Sequence, residues 1–590
     1  MKDGRDLTQP LMRRLLRLLR VRVWIAEKLQ PTEWQATLLW AALAGFLGAM
    51  GALLFKAATE GIHQLLTGSN QGVVESFRMM PWWARLLVPA AGGLMAGLVL
   101  LFGRRVAKMQ SSTDYMEAIV IGSGHVPLRA SIVKSTAALF SIGSGGSIGR
   151  EGPMVQMAAV LASFIGRWRK FSPPQLRLLV ACGAAAGIAS AYYAPLAGAF
   201  FVAEIILGTI AMESLGPLVA ASVSATLTIK ILSDAHTLYD VPRFTLGSPW
   251  EMGPYVLLGL IMGTLAPWFL RSLRQAETLF VSTRLPLVAR LGLGGLMVGA
   301  LAILVPEVVG NGYSVVLEIL NGRIIWMALI LVLVCKWLAT VASFGSGAPG
   351  GVFTPSLFMG ASAGYLFGTA VHTLWPTGAA DPRAFALVGM GAFLSAASRA
   401  PVMAVIMLFE MTLSYDIILP LLLCSVLAYY TAKGIEEKSL YSESLKRKAA
   451  EDGMPELPAG RVGDLMKSDP PIIGVSAHFA EIAQTFLSVR VNNLYVVDGE
   501  RHFVGVVSLH DIKPYLGEPE LAELVLARDI VHEDFPRLGP DRSLSEALEA
   551  FLGITAERLP VVAADGRLLG SLAKGDLLLA LVEKRKKPVA

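Results

Sequence analysis

At 590 residues, with 54% hydrophobic and 16% charged residues and a mean hydropathy of +0.57, the chain carries more apolar surface than one soluble core can hide. Lipid must cover the surplus, which excludes a single soluble domain and indicates an α-helical polytopic membrane protein. The net charge of +6 is modest for this length and no basic-aromatic stripe accompanies it, so nucleic acid is not expected as a partner.

A basic arm holding Arg13, Arg14, Arg17, Arg20 and Arg22 opens the chain, and the positive-inside rule puts residues 1–33 in the cytoplasm. Arg13, Arg17 and Arg20 share a helical face with leucines between them, as in an amphipathic surface helix or a plain solvated charge run. The apolar segment that follows is too long for a signal peptide and no small-residue cleavage site succeeds it, so none is expected. Apolar stretches then recur at about 34–55, 82–102, 192–210, 255–269, 291–304, 324–341 and 417–430. Several have span-like length, whereas others are short and broken by glycine. Broken backbone at membrane depth is tolerated only where protein or water shields it, so the broken segments are candidates for a pathway.

Two of them match. GSGGSIGREGP at Gly143 to Pro153 and GSGAPGGVFTP at Gly345 to Pro355 agree at Gly, Ser, Gly, Gly and Pro with an offset of 202 residues. Each runs into a helix-like stretch, so backbone amides at a helix start would face a cavity, an arrangement that attracts anions. The Ala194-Pro195 pair followed by Glu204 is echoed by Ala400-Pro401 followed by Glu410, at an offset of 206. Two repeats, about 36–232 and 254–432, are therefore expected within a membrane domain at 34–441. If they are inverted, the matching segments meet near the bilayer midplane; a parallel repeat satisfies the same spacing. Glu204 and Glu410 read as hydrogen-bonded helix residues near a repeat or dimer interface. Glu117 and Lys134, beside membrane segments, are expected to be paired or water-exposed. Cys182, Cys335 and Cys424 lie in apolar stretches without metal-ligand spacing and read as packing residues.

A polar, proline-containing linker at 442–460 leads to a segment of soluble patterning at 461–585. Here Asp464-Leu465-Met466 is echoed by Arg528-Asp529-Ile530, and Gly505 to Ser508 with Asp511 by Gly570 to Ala573 with Asp576, at an offset of 65. Two α/β units, about 461–520 and 526–585, are expected, each with a hairpin at Asp498-Gly499 or Asp565-Gly566. No P-loop, metal triad or nucleophile-base set is present, so neither catalysis nor a required cofactor is expected.

The carboxylate of Glu151 stands in a glycine-flanked turn where an anion would otherwise sit. Ionised, it would occupy the amides; protonated or displaced, it would swing out, gating the path and coupling it to pH.

GREGP, GGVFTP, the Ala-Pro-Leu-Ala-Gly segment at 194–198 and Leu440-Tyr441-Ser442 together resemble the ClC family of chloride channels and proton-coupled chloride transporters, over about 36–446. The tail at about 461–585 looks like a pair of CBS domains. The resemblance implies the ClC fold with its inverted repeat, a homodimer in a bacterial inner membrane, and cytoplasmic tandem CBS domains. It implies Glu151 as gate, amides near Arg150 and Gly152 at an outer chloride site, and amides of Val352 and Phe353 with the hydroxyl of Tyr441 at a central one. The family's inner serine falls in a departing stretch here, where Ser111 or Ser112 takes the role. In proton-coupled members a glutamate directly follows the position of Glu204; this chain has Ile205, which implies passive conduction rather than chloride/proton antiport. CBS pairs resemble adenosine-nucleotide sensors, which implies a possible site at Ser508 and Asp511, with Asp576 in the second repeat lacking the hydroxyl because Ala573 replaces it. A fluoride or nitrate exporter, and a membrane-anchored nucleotide sensor without anion flux, are the remaining alternatives.

Overall fold

The computed structural model describes residues 33–106, 115–120, 122–233, 239, 249–376, 380–436, 439, 460–489, 493–509, 511–512, 515, 524–552 and 558–577. The basic arm, Ser111, Ser112, Tyr441 and nearly all of the 442–460 linker lie outside the described residues. The chain divides into two compact units, Met1–Leu445 and Lys446–Ala590.

The first unit is helical. Among the described residues eight helices are long and apolar enough to cross a membrane: Gln35–Thr67, Trp82–Gly103, Pro173–Tyr192, Met212–Ser233, Met252–Ser282, Leu287–Leu304, Trp326–Ser346 and Ile418–Ile435. Two of these, Pro173–Tyr192 and Met212–Ser233, fall outside the apolar stretches legible in the sequence. Alanine and glycine keep the hydropathy of the first at 1.2, although 83% of its window is buried inside the protein.

The apolar stretch at 192–210 is not one span. Tyr193 turns left-handed at φ 56°, Ala194 is extended, and a new helix runs from Pro195 to Phe200 before a π-helical turn at Phe201–Ile206. Pro195 is the cause, because its ring pushes the preceding residue out of the helical region while its own fixed φ suits a helix start. The second half repeats the device: Arg399 at φ 63°, Ala400, then helix Pro401–Thr412.

The two halves are related by an inverted, approximate twofold. Both oxygens of Glu410 accept from the amides of Leu196 (3.0 Å) and Ala197 (2.8 Å), and those of Glu204 from Val402 (3.3 Å) and Met403 (2.8 Å). Each carboxylate lies near the C-terminal end of its helix and caps the start of the other, so equivalent helices run in opposite directions. Such caps complete orphan amides and favour the positive helix end.

Glycine lets helices Phe353–Leu374 and Pro382–Ser398 approach backbone to backbone. A β-carbon at Gly360 would overlap the carbonyl of Gly389, and one at Gly364 the carbonyl of Phe385. Small residues at four-residue spacing are how helices pack where no hydrophobic drive exists between them. Gly360→Val is therefore expected to cost about 2 kcal/mol or more by overpacking, read as a fall in thermal unfolding temperature and monodisperse yield in detergent.

The second unit is a twofold α/β pair. Strand Asn493–Val497 pairs antiparallel with Phe503–Ser508 and parallel with Ile472–Gly474; Arg558–Val562 pairs antiparallel with Leu568–Ala573. The equivalent registers, Asn493 to Ser508 and Arg558 to Ala573, differ by the 65 residues of the sequence repeat, and both hairpins shift at the same valine pair. The repeats exchange their leading helices: Val462 lies in the core with Leu544, Phe551 and Leu559, while Ala527 lies in the core with Ile482, Leu494 and Val507.

Candidate functional site

The two glycine motifs meet. Gly145 (φ 92°) and Gly347 (φ 91°), equivalent under the offset of 202, both need the left-handed region to reverse the chain after a helix. Further on, the equivalent glycines 149 and 351 pair with each other, amide to carbonyl at 2.6 and 2.8 Å, as an isolated antiparallel bridge. The local twofold thus passes between them. Helices Glu151–Trp168 and Phe353–Leu374 begin two residues later, so two helix starts are held side by side.

Polar side chains on helix Trp326–Ser346 brace the first turn. Ser343 Oγ accepts from the amide of Ser147 at 3.1 Å, and the hydroxyls of Ser147 and Thr340 lie 3.0 Å apart. All three residues are buried. Gln156 holds a further element: its Oε1 accepts from the amide of Tyr115 (3.3 Å) and its Nε2 donates to Ser131 (2.8 Å), fixing the start of the short helix Tyr115–Val120.

Glu151 is 4% exposed, and its carboxylate crosses to the partner motif. Oε1 accepts from the amide of Thr354 at 3.0 Å and Oε2 from the Thr354 hydroxyl at 3.1 Å. The hydroxyl proton of Thr354 is thereby committed, so Tyr192, whose hydroxyl is 2.9 Å from Thr354 Oγ1, is the donor in that pair. The carboxylate occupies the start of helix Phe353–Leu374, where the partial positive charge of the free amides would hold an anion. Neither Thr354 nor Tyr192 stands out in the sequence, although Thr354 lies inside GGVFTP and Tyr192 just precedes the Ala-Pro-Leu-Ala-Gly segment.

Cavities lie on both sides of this turn. A larger one, about 640 Å³, is lined by Arg150 with Glu60, His63, Asn70, Gly310 and Asn311. A smaller one, about 330 Å³, is lined by Glu151, Gly152, Val352, Lys134, Gln156, Tyr115 and Phe201. Arg150 opens onto the first, Glu151 and Gly152 onto the second. Val352 borders the smaller cavity, while Phe353 is buried against Tyr192 and Phe201, with ring centroids at 5.1 and 6.3 Å. Glu151 is the one carboxylate among the described residues lining that cavity. Glu204 is committed to the amides of Val402 and Met403 and does not border it.

In the second unit, Ser508 and Asp511 come together: Asp511 Oδ2 accepts from the amide (2.8 Å) and hydroxyl (2.7 Å) of Ser508. Asp511 Oδ1 is 3.2 Å from His532 Nε2, and Asp576 pairs with Lys467 at 3.1 Å. His532 and Lys467 are equivalent under the offset of 65, so each repeat's aspartate is paired by the other repeat. Burial pushes the Asp511 carboxyl up, but the Ser508 bonds and His532 outweigh it and hold the group below the usual carboxylate range. A depressed carboxylate stabilises the fold fully above the unfolded value of about 4 and loses that contribution as pH falls through its lowered folded value. The stability gap between wild type and Asp511→Asn is therefore expected to be open at neutral pH and to close under strong acid, in thermal unfolding of the full-length protein.

Comparison with known proteins converges on one family. The model of the family described as voltage gated chloride channel matches residues 91–433, and the CBS domain model matches 462–518 and 527–583. A ClcB-like chloride channel protein of Ralstonia nicotianae is 50% identical over 413 residues, covering 69% of this chain and 96% of that protein. The voltage-gated ClC-type chloride channel ClcB of Yersinia pestis is 45% identical over 407 residues, covering 68% and 97%. Among solved structures, a slow cyanobacterial Cl⁻/H⁺ antiporter is 27% identical with a TM-score of 0.63, covering 70% of this chain and 99% of that one. A eukaryotic CLC transporter, 19% identical with a TM-score of 0.61, covers 92% and 97% and shares the fold. With the paired glycine turns, the inverted repeat and these matches together, the chain belongs to the ClC voltage gated chloride channel family, as a multi-pass membrane protein carrying a CBS domain pair.

Proposed function

We propose that this protein conducts chloride passively through a gated pathway, with Glu151 as the gate. The observation that carries the reading is the Glu151 carboxylate seated on the amide and hydroxyl of Thr354 between two cavities. It stands where a permeating anion would be held, and it is the group that must leave for one to pass. On this reading the amides near Arg150 and Gly152 serve an outer site, those of Val352 and Phe353 with Tyr441 a central one, and Ser111 or Ser112 the inner end. Residues 34–441 form the pathway, 442–460 the linker and 461–585 a regulatory tail that takes an adenosine nucleotide at Ser508 and Asp511.

Charge asymmetry supports a tail on the cytoplasmic side of the membrane. Helix Leu287–Leu304 has Arg284 and Arg290 around one end and Glu307 beyond the other, and helix Ile418–Ile435 has Asp416 before it and Lys433 in its last turn. Under the positive-inside rule the Arg284 and Lys433 ends face the cytoplasm, where the chain continues to the tail. The proposal includes a homodimer, whose second copy would cover the apolar Leu196 and Val402 beside the reciprocally capped helices.

Chloride/proton antiport is the second reading, favoured by the solved antiporter that is 27% identical. Ile205, and a smaller cavity bordered by no carboxylate but Glu151 among its described residues, favour passive conduction. Purified protein in liposomes with a chloride gradient, with external pH recorded, separates them. Chloride movement without net proton movement is expected; uphill proton transport driven by chloride would replace this reading with antiport.

A further inference from the structure

Helix Trp326–Ser346 crosses the core with one ionisable side chain on the face that carries Thr340 and Ser343. Lys336 is fully buried. Its Nζ donates to the carbonyls of Val308 (2.8 Å), Gly310 (2.6 Å) and Val309 (3.4 Å), with the ring of Phe358 at 5.8 Å. Three acceptors match the three N–H groups of an ammonium, and no carboxylate pairs with it among the described residues. The three carbonyl dipoles favour the ammonium form, whose charge no carboxylate among the described residues cancels, at a place where an unpaired charge is costly.

That place is behind the wall of the larger cavity. Gly310 lines the cavity together with Arg150 and Asn311, and its amide donates to the carbonyl of Gly145 at 3.1 Å, at the head of the turn that carries Glu151. The geometry points to Lys336 as an anion-attracting residue of the pathway: a fixed ammonium one peptide behind the vestibule that raises anion occupancy while remaining out of contact with the ion. Among the described residues, Glu60, His63 and Arg150 are the ionisable groups that line the same cavity. Glu60 and Arg150 carry opposite charges on that lining, and Lys336 adds a positive charge behind it. The field of one unit charge across about 10 Å of protein is worth about tenfold in anion occupancy.

This inference rests on the anion-pathway reading, and the test separates the two. Chloride flux against chloride concentration is measured in liposomes for wild type, K336Q, K336M and K336R. K336Q keeps two N–H donors for the carbonyls without charge, and K336M is the uncharged alternative should the glutamine variant not fold. Half-saturating chloride is expected to rise about tenfold in K336Q or K336M, with maximal flux changing less, and to stay within about twofold of wild type in K336R. Unchanged half-saturation in the uncharged variants, or an equal rise in K336R, would overturn the role of Lys336. Absence of flux in wild type would sink the pathway reading itself.

Discussion

Replacement of Glu151 by glutamine is expected to raise chloride flux at neutral pH on the order of tenfold and to abolish its dependence on pH. The carboxylate accepts two hydrogen bonds from Thr354 at a helix start. Such charge-assisted bonds are each worth about 1.5–3 kcal/mol. Glutamine has nearly the same shape but no charge: its Oε1 accepts from the Thr354 amide and its Nε2 donates to the Thr354 hydroxyl, which turns its proton to Tyr192, so both contacts persist only as neutral bonds. The seated conformation loses the charge assistance of these bonds, about 1–2 kcal/mol, and each 1.4 kcal/mol is about a factor of ten in occupancy. Chloride, an acceptor only, then takes the amides without competition. In wild type the sign runs the same way: protonation at low pH removes the competing charge, so flux rises as pH falls, whereas the glutamine variant stays at the high level throughout. Flux assays in liposomes across pH check it; a variant with wild-type flux and pH dependence would remove Glu151 from the gate.

Legibility of the fold followed the physical range of each signal. The glycine turns, the proline-led short helices and the hairpin turns are dictated by residues within a few positions, so spacing along the chain is enough to expose both repeats. Which groups the repeated carboxylates touch is not readable in this way, because Glu204 and Glu410 are completed by amides about 200 residues away. The spacing leaves inverted and parallel repeats equally open; only the reciprocity of those caps decides it. Helix Pro173–Tyr192 escapes notice for a related reason. A helix shielded by protein on nearly all sides can be built of alanine and glycine, and so lacks the hydropathy of a lipid-facing span. Lys336 does leave a signal, a lone lysine in the apolar 324–341 stretch, but its partners are carbonyls, which no sequence pattern marks. Tyr192 and Thr354 read as ordinary packing residues until the turn places their hydroxyls in line with Glu151.

Gly149→Ala offers a way to open the gate while leaving the carboxylate in place. A β-carbon at Gly149 would overlap both oxygens of Glu151 in its seated position, whereas the backbone of Gly149 does not lie in the left-handed region and accepts alanine without strain. The obstacle is the far end of a flexible side chain, so the variant is expected to fold and to resolve the overlap by expelling the carboxylate from Thr354. The pairing of Gly149 with Gly351 involves main chain only and survives. Flux at neutral pH is then expected to rise severalfold and to flatten with pH, approaching the Glu151→Gln variant with the charge still present. The double variant is the sharper measurement. If both substitutions act by emptying one seat, their effects on flux are not additive and the double variant behaves as Glu151→Gln alone. Gly146→Ala is the contrast, because its β-carbon would meet the carbonyl of Ser141 and main chain cannot swing aside, so that variant is expected to lose folded protein. Wild-type pH dependence in Gly149→Ala would show that the seat on Thr354 does not limit permeation.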